Sequence, residues 1–375
     1  MIYADNAATT RLDEDAFDAM KPFLLEDYGN PSQPYSFARV PKKTVQHARA
    51  TIADCIGADP DEIFFTSGGT ESDNWAIKSS GFSNPKNHAI ITSAFEHHAV
   101  LNSCAAIERL GYPVAYMWPD RNGIVTAKIL DKYITNQTHL VSVMFANNEI
   151  GSIQPIGELC RIAHDHGALF HTDAVQAVGH IPINVHELGV DMLSASAHKF
   201  NGPKGVGFLY VRKGIDIHSH NDGGSQERGM RAGTENVAGI VGMAVALKKN
   251  CDQMVDTTQK LLMMEQILID SLTEHNINFI RNGSADHHLP GLISLSFPGF
   301  EGEALLHRFD LMGICIATGA ACDSKETQIS HVLQAIGLDE NIARGTIRIS
   351  FGRNNDSSDA ETIAKSIIKI IKSRE

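Results

Sequence analysis

Short apolar runs alternate with amphipathic segments between residues 62 and 195. The runs are rich in β-branched and aromatic residues, which is typical of buried strands. They cover residues 62–65, 89–92, 114–117, 139–146, 168–172 and 192–195. Helix-like segments lie between them at residues 71–80, 99–110, 128–135 and 156–166. This alternation predicts right-handed crossovers and a largely parallel sheet with helices on both faces.

The C-terminal part of the chain has a different pattern. Residues 234–274 predict long helices with a polar stretch at 248–252, and we place a domain boundary near Val255. Further along, strands are predicted at 292–297, near 314 and at 346–350, and helices from 301, at 329–336 and from 358. We therefore expect a large domain over residues 15–255 and a smaller α+β domain formed by residues 1–14 and 256–375, with a cysteine-containing loop at about 316–328.

Composition and charge narrow the classes of function. The 375 residues are 43% hydrophobic and 20% charged, ordinary values for a globular chain long enough for two domains. A net charge of −12 argues against direct binding of nucleic acid, which needs a basic surface. The first residues contain no basic and apolar leader, and no apolar run approaches the length of a membrane helix. Six cysteines without CxxC pairs favour a reducing, cytoplasmic compartment and argue against a zinc ribbon.

Three candidate functional features each follow a predicted strand. The first is Ser67-Gly68-Gly69-Thr70, here called the phosphate loop, which opens a helix whose free N–H groups can bind a dianion. The second is Asp173 and the third is Lys199. Ligands of parallel sheets lie outside the carboxyl ends of the strands, so the three can converge on one site.

Each feature has an ordinary structural explanation when taken alone. A Gly-Gly pair is usually only a turn, an aspartate after a strand is often a helix cap, and a lysine among glycines is often a surface residue. Together they are the parts that hold pyridoxal 5'-phosphate (PLP): a phosphate site, an acid for the ring nitrogen and an amine for the aldehyde. Gln176 could then reach the ring 3-oxygen, and Ser196 and His198 could donate to the phosphate.

Histidines raise the alternative of a metal site. His97 could stack on a flat cofactor ring or move protons near neutral pH. His164 and His166 are two residues apart on a predicted helix, so their side chains diverge, whereas helical ligand pairs prefer a spacing of four. We therefore predict no metal.

A cysteine and an arginine complete the candidate set. Cys322 is in a small, polar loop that could present a thiolate. The other cysteines are assigned to helices (Cys55, Cys104, Cys160), a strand (Cys315) and a polar stretch between helices (Cys251). Arg348 lies inside an apolar strand, where an arginine is costly unless it is paired, and its planar fork suits a substrate carboxylate.

These residues together resemble a class V PLP enzyme, specifically a cysteine desulfurase of the NifS/IscS-like type. The resemblance runs from Tyr3 to Arg353. Its strongest strings are residues 66–74, 147–151, 171–176, 196–205 and 228–234. It implies the PLP-dependent transferase (aspartate aminotransferase-like) fold.

The resemblance also implies roles for individual residues. Lys199 would bind PLP covalently, His97 would stack on the ring and help to move protons, and Cys322 would take sulfur from L-cysteine, leaving L-alanine and an enzyme persulfide. Cofactor contacts are implied for Gly69, Thr70, Asn148, Asp173, Gln176, Ser196 and His198. Thr234 would reach the phosphate of the other subunit of a homodimer, and Arg348 with Asn148 would bind the substrate.

Two departures from the family pattern bear on the sulfur acceptor. Asp323 follows Cys322 directly and should raise the pKa of its thiol. The chain also stops soon after its last predicted helix, without the longer tail of members that dock an iron–sulfur scaffold. The acceptor protein could thus serve iron–sulfur assembly, tRNA thiolation or DNA phosphorothioation. Alternative functions are an aminotransferase, a selenocysteine lyase, or a sulfur carrier or assembly platform without turnover.

Overall fold

The computed structural model describes residues 1–83, 89–318 and 329–373. In its first part, seven strands form a mixed sheet. Its strands are β2 (Ile63–Thr66), β3 (Ala89–Ser93), β4 (Val114–Met117), β5 (Thr138–Ser142), β6 (Leu169–Asp173), β7 (Met192–Ser196) and β8 (Gly207–Val211). The strand order is β2-β8-β7-β6-β5-β3-β4. Strands β3 to β7 pair in parallel, and β8 runs antiparallel to both β7 and β2.

This topology confirms the predicted α/β class and mainly parallel sheet. The predicted strand at 139–146 was too long, because β5 ends at Ser142 and the next residues leave the sheet. Strand β8 was missed because it continues the glycine-rich string after Lys199, which has the composition of a loop. Since β2 and β7 both run antiparallel to β8, strands β2, β6 and β7 end at the same edge of the sheet.

Helices cover the faces of this sheet. They are α1 (Glu14–Leu25), α2 (Arg39–Ile56), α3 (Gly69–Ser83), α4 (His98–Arg109), α5 (Ala127–Leu130), α6 (Ile156–Asp165), α7 (Val185–Leu188) and α8 (Val237–Asp252). The helix predicted at 128–135 is only the single turn α5. Asp13 caps α1 by accepting hydrogen bonds from the N–H groups of Asp15 and Ala16, so this helix start is fixed by the sequence itself.

A second, antiparallel sheet forms from the C-terminal part of the chain, in the order β12-β13-β10-β9. Its strands are β9 (Ile280–Asn282), β10 (Leu292–Ser296), β12 (Ala317–Thr318) and β13 (Thr346–Ser350). The associated helices are α9 (Met254–Glu274), α10 (Gly302–Leu311), α11 (His331–Ala335), α12 (Glu340–Ala343) and α13 (Ser357–Lys372).

The start of the chain pairs with its C-terminal part in a separate two-stranded sheet, and Asp5 forms a bridge to Ser350 at the end of β13. Strand β1 (Ile2–Tyr3) pairs in parallel with β11 (Ile314–Cys315), and the segment after β1 runs back towards the first sheet. The domain boundaries near residues 14 and 255 stay predictions. Within the described ranges, no helix has both the length and the apolar character needed to cross a bilayer.

Candidate active site

A cavity of about 550 Å³ lies at the carboxyl edge shared by β2, β6 and β7. Ten of the predicted site residues line it: Gly69, Thr70, His97, Asn148, Asp173, Gln176, Ser196, His198, Lys199 and Arg348. The N-terminal segment from Asp5 to Thr9 contributes to the same lining. Parts of the sequence more than 300 residues apart are therefore brought together in one site.

Two predicted site residues are not gathered there. Thr234 is exposed and does not line the cavity of its own chain. Its proposed contact with the phosphate in a partner subunit therefore stays a prediction. Cys322, with its neighbour Asp323, lies outside the described residues.

The phosphate loop forms a tight backbone cup between β2 and α3. Gly68 has φ +149°, a conformation that side chains rarely permit. A Cβ on Gly69 would lie 2.5 Å from Val175 Cγ2, so the close approach of the two segments requires glycine. Helix α3 starts at Gly69, and the N–H groups of its first turn carry the positive end of the helix dipole. The cup is thus suited to a phosphate dianion.

A carboxylate near this cup is neutralised by an arginine. Glu71 accepts a hydrogen bond from the Ser67 N–H at 2.8 Å and pairs with Arg231 at 2.8 Å. Although burial raises the pKa of Glu71, the hydrogen bonds from Arg231 and Ser67 outweigh it, so the pKa lies below its usual value. The negative charge of Glu71 is therefore compensated on the protein side and does not oppose an anion in the cup.

His198 contributes a neutral ring to the cavity wall. Burial, followed by the neighbouring cations of Lys199 and Lys204, lowers the pKa of His198 to about 4. Its Nδ1 lies 3.1 Å from the Thr9 hydroxyl oxygen, which fixes the orientation of the ring. At neutral pH the imidazole can act as a hydrogen-bond donor without carrying a charge.

Asp173 ends β6 with its carboxylate held against the cavity. Oδ1 accepts a hydrogen bond from the Val175 N–H at 2.9 Å, and the residue is 5% exposed. Burial raises the pKa of Asp173, whereas His97 and Lys199 act in the opposite direction. A cationic ring nitrogen in the cavity would favour the anion further, as PLP requires.

A buried polar network behind Asp173 was not predicted from the sequence. His171 lies between Ser142 and Ser194, with Nδ1 2.9 Å from one hydroxyl and Nε2 2.9 Å from the other. Burial lowers the pKa of His171 to about 3, and burial together with the charge of Asp173 raises the pKa of Asp73. These shifts favour the neutral forms of His171 and Asp73, whereas a cationic ligand nitrogen would favour the ionised form of Asp173. No local sequence signal marks Asp73, which sits within an ordinary helix.

Lys199 lies in a single 3₁₀ turn directly after β7. Its Nζ donates to the carbonyl oxygens of Ala7 at 2.7 Å and Ala8 at 2.8 Å, and its own carbonyl accepts from His180 Nε2 at 3.0 Å. Gln176 Nε2 also donates to the Ala7 carbonyl, at 2.9 Å. The N-terminal segment therefore positions both the amine and the glutamine that the sequence singled out.

His97 caps helix α4 at the edge of the cavity. Its Nδ1 accepts a hydrogen bond from the Ala99 N–H at 3.1 Å, which places the ring proton on Nε2. Burial lowers the pKa of His97, with Asp173 opposing the shift. The ring is therefore mostly neutral at pH 7, in a fixed tautomer, and can both stack on a flat ligand and exchange a proton through Nε2.

Arg348 presents a partly satisfied guanidinium from the middle of β13. Nη2 pairs with Asp5 at 2.7 Å, and Nη1 donates to the Asn148 carbonyl oxygen at 2.9 Å. Nε is buried and has no hydrogen-bond partner in the described part of the chain. Because Arg348 lines the cavity, its terminal N–H groups can bind a carboxylate that enters there.

Glu96, the residue before His97, is a buried acid that is mostly protonated at neutral pH in the folded chain. Ser93 and the Met144 N–H donate to Oε1, while Oε2 is buried without a partner among the described residues. Burial, with a smaller contribution from Asp173, raises the pKa of Glu96 to about 8 from its model-peptide value of 4.5.

Replacing Glu96 by glutamine should therefore change the pH dependence of stability. Between about pH 4.5 and pH 8 the unfolded chain releases the Glu96 proton and the folded chain keeps it, so wild-type stability falls as the pH rises. A glutamine side chain does not titrate in this pH range, so it adds no such pH dependence to the stability. The unfolding free energy of Glu96→Gln minus that of wild type should therefore be larger at pH 9 than at pH 5, by on the order of a few kcal/mol. Thermal unfolding at both pH values measures this, with exposed Glu274→Gln as the control. A stability difference that does not change with pH would contradict the assignment.

Comparisons with known proteins agree with this geometry. The Aminotransferase class-V family model matches residues 2–363. A cysteine desulfurase IscS of Dictyoglomus turgidum is 49% identical over 352 residues, covering 94% of this chain and 89% of the relative. The solved structure of a NifS-like protein is 38% identical with a TM-score of 0.93 and covers 99% of both chains. The structure described as SspA in complex with cysteine is 35% identical with a TM-score of 0.84, covering 94% of this chain and 99% of that one. The chain therefore belongs to the class V aminotransferase family and, within it, to the NifS/IscS-like cysteine desulfurases.

Proposed function

We propose that this chain binds PLP in the cavity through Lys199 and catalyses the removal of sulfur from L-cysteine, with Cys322 as the sulfur acceptor. The observation that carries the proposal is the convergence of the phosphate loop, Asp173 and Lys199 on one cavity of about 550 Å³. When bound, PLP would supply the electron sink that allows bonds at Cα and Cβ of an amino acid to break.

The residues present fit this cofactor. Gly68 and Gly69 let the phosphate loop pack closely against Val175 and Ser196, and the N–H groups at the start of α3 are the donors for a phosphate. Thr70, Ser196 and His198 surround the cup with polar groups, and Asp173 supplies the carboxylate for a ring nitrogen. The amine of Lys199 lines the same cavity and is held there by two backbone carbonyls.

Substrate binding is assigned to Arg348 and Asn148. The Asn148 carbonyl and the Asp5 carboxylate fix the guanidinium of Arg348 through its two terminal nitrogens. A guanidinium has more N–H donors than these two contacts use, so donors remain for the carboxylate of L-cysteine. Because the guanidinium is already oriented, little side-chain entropy has to be lost on binding.

Proton movement is assigned to Lys199 and His97. Both line the cavity, and the neutral His97 ring carries its proton on Nε2. Such groups contribute roughly 10²–10⁴-fold when they are positioned to transfer a proton in the transition state.

The sulfur transfer balances without an external oxidant. The Cβ–S bond of L-cysteine breaks, a new S–S bond forms to the Cys322 sulfur, and protons are returned to the alanine product and to the persulfide. The products are L-alanine and a Cys322 persulfide, which would pass its outer sulfur to an acceptor protein. We further propose that the enzyme acts as a homodimer in which Thr234 reaches the cofactor phosphate of the partner subunit.

Replacing Cys322 by serine tests the proposal directly. The variant should keep the visible absorption of bound PLP but form no persulfide from L-cysteine, because serine cannot accept sulfur. Persulfide labelling, alanine formation and the absorption spectrum are measured on the same preparations, with Cys315→Ser as the control. Undiminished persulfide formation by Cys322→Ser would refute the role of this cysteine. Formation of alanine only when a keto acid is supplied would instead indicate an aminotransferase.

A further inference from the structure

Strand β2, which leads into the phosphate loop, is an edge strand of the seven-stranded sheet in the described part of the chain. One side of β2 pairs with β8, and side chains bond to backbone groups on its other side. Glu227 Oε2 accepts a hydrogen bond from the Phe65 N–H at 2.9 Å. The Ile63 carbonyl oxygen accepts from Arg49 Nη1 at 2.6 Å and from Arg228 Nη2 at 3.0 Å. These three side chains therefore take the place of a neighbouring strand.

The turn that carries Glu227 and Arg228 has an unusual backbone. Their φ angles are +45° and +59°, in the left-handed region where residues other than glycine are costly, and two such residues follow each other here. This conformation persists only where the surrounding structure fixes it. Arg49 supplies that constraint, because its two terminal nitrogens donate to the two carboxylate oxygens of Glu227 at 2.7 and 2.8 Å. Glu227 is 7% exposed, so this ion pair is almost entirely inside the protein.

Both guanidinium groups also stack on aromatic side chains of β2. The Arg49 guanidinium carbon lies 4.3 Å from the ring centre of Phe65, and that of Arg228 lies 4.0 Å from the ring centre of Phe64. Such cation–π contacts, added to the hydrogen bonds, hold each planar group in one orientation. Successive residues of a strand point to opposite faces of the sheet. Strand β2 is therefore held on both faces as well as along its edge.

The same segment also contacts the helix on the other side of the phosphate loop. Arg231, three residues after Arg228, donates through Nε and Nη2 to the two carboxylate oxygens of Glu71, at 2.8 and 3.2 Å. Glu71 lies in the first turn of α3 and accepts the N–H of Ser67, the first residue of the loop. Residues 227–231 are thus bonded both to the strand that precedes the loop and to the helix that follows it.

We propose that Glu227 and Arg228 are positioning residues for the phosphate loop, because they fix the end of β2 relative to the strands that carry Asp173 and Lys199. The inference rests on the proposed function, since it concerns the phosphate of the same PLP. Neither residue is among the described residues that line the cavity, so both act through β2. The groups for the ring and the aldehyde follow β6 and β7 instead. A displaced β2 should therefore weaken phosphate binding selectively.

Titration with PLP and with pyridoxal, which has the same ring and aldehyde but no phosphate, measures this selectivity. Both are added to full-length apo-protein of wild type and of Glu227→Gln, and the imine absorption gives the dissociation constants. The ratio of the pyridoxal constant to the PLP constant should fall by roughly tenfold to a hundredfold in the variant, the range of one hydrogen bond to a charged group. An unchanged ratio, including equal weakening of both ligands, would overturn the proposal.

A second variant carries the test if Glu227→Gln does not fold. Arg228→Gly retains the left-handed turn, because glycine adopts a positive φ without strain. It removes only the side-chain contacts with the Ile63 carbonyl and the Phe64 ring. Circular dichroism checks that it is folded, and the same ratio should decrease. A wild-type ratio in folded Arg228→Gly would refute the positioning role of this turn.

A comparable ion pair elsewhere provides the control for general destabilisation. Glu265 is also largely buried and pairs with Arg281 of β9, at the second sheet. Glu265→Gln should lower the melting temperature but leave the ratio of the two dissociation constants unchanged. An equal fall of the ratio in this control would refute the proposal, because the effect would then not depend on β2. A wild-type protein that forms no imine with PLP would instead refute the proposed function.

Discussion

Lys199→Ala should lose the visible absorption of covalently bound PLP together with desulfurase activity. The structure explains why one side chain has both effects, because the Lys199 amine lines the cavity between the phosphate loop and Asp173. Removing its proton-transfer role alone should lower kcat by roughly 10²–10⁴-fold, and loss of the covalent link adds to this. The absorption spectrum and alanine formation from L-cysteine are the measurements.

A matched control separates this effect from a general loss of lysine. Lys213 is exposed, and its contact with Glu62 is made by the backbone N–H, so Lys213→Ala leaves that contact in place. This variant should keep both the visible absorption of bound PLP and the formation of alanine from L-cysteine. If Lys199→Ala also kept both, the cavity would not be the PLP site, and the proposed function would fail with it.

Asp173→Asn should retain PLP but lose most of the activity. The neutral amide preserves the size of the side chain and can still accept the Val175 N–H hydrogen bond, but it cannot stabilise a protonated ring nitrogen. Breaking a buried charge pair costs about 3–5 kcal/mol. If this cost falls on the barrier, kcat decreases by roughly two to four decades. Steady-state kinetics and a pH titration of the PLP absorption measure the two effects.

Asp165→Asn is the control for Asp173→Asn. Asp165 lies at the exposed end of α6, where it pairs with Arg161, and such surface pairs contribute little. The control should therefore retain its kcat and its absorption titration. A loss of less than tenfold in Asp173→Asn, with the titration unchanged, would exclude Asp173 as the partner of the ring nitrogen.

The strand ends that position the site could be predicted from the sequence. The runs before the phosphate loop, Asp173 and Lys199 are short and apolar, and the structure ends β2 at Thr66, β6 at Asp173 and β7 at Ser196. These strands could be predicted because the apolar pattern of a buried strand lies within one short segment of the sequence. The rule that ligands bind at the carboxyl ends of strands then placed the three features in one cavity, as observed.

Contacts between distant residues could not be predicted in the same way. The partner of Arg348 proved to be Asp5, and the Lys199 amine is held by carbonyls of Ala7 and Ala8, because the chain ends meet beside the cavity. The hydrophobic pattern of one segment does not show which distant residue will contact it, because such contacts depend on the tertiary packing.

The meeting of the chain ends at the cavity also has a consequence for biosynthesis. Asp5 and Arg348 are separated by 343 positions, and strand β1 has no partner until β11 has been made. Domains are commonly organised as they leave the ribosome, starting from the N-terminus. Here the first residues to emerge must wait for a partner more than 300 positions later, so this wall of the cavity cannot form until Arg348 has left the ribosome.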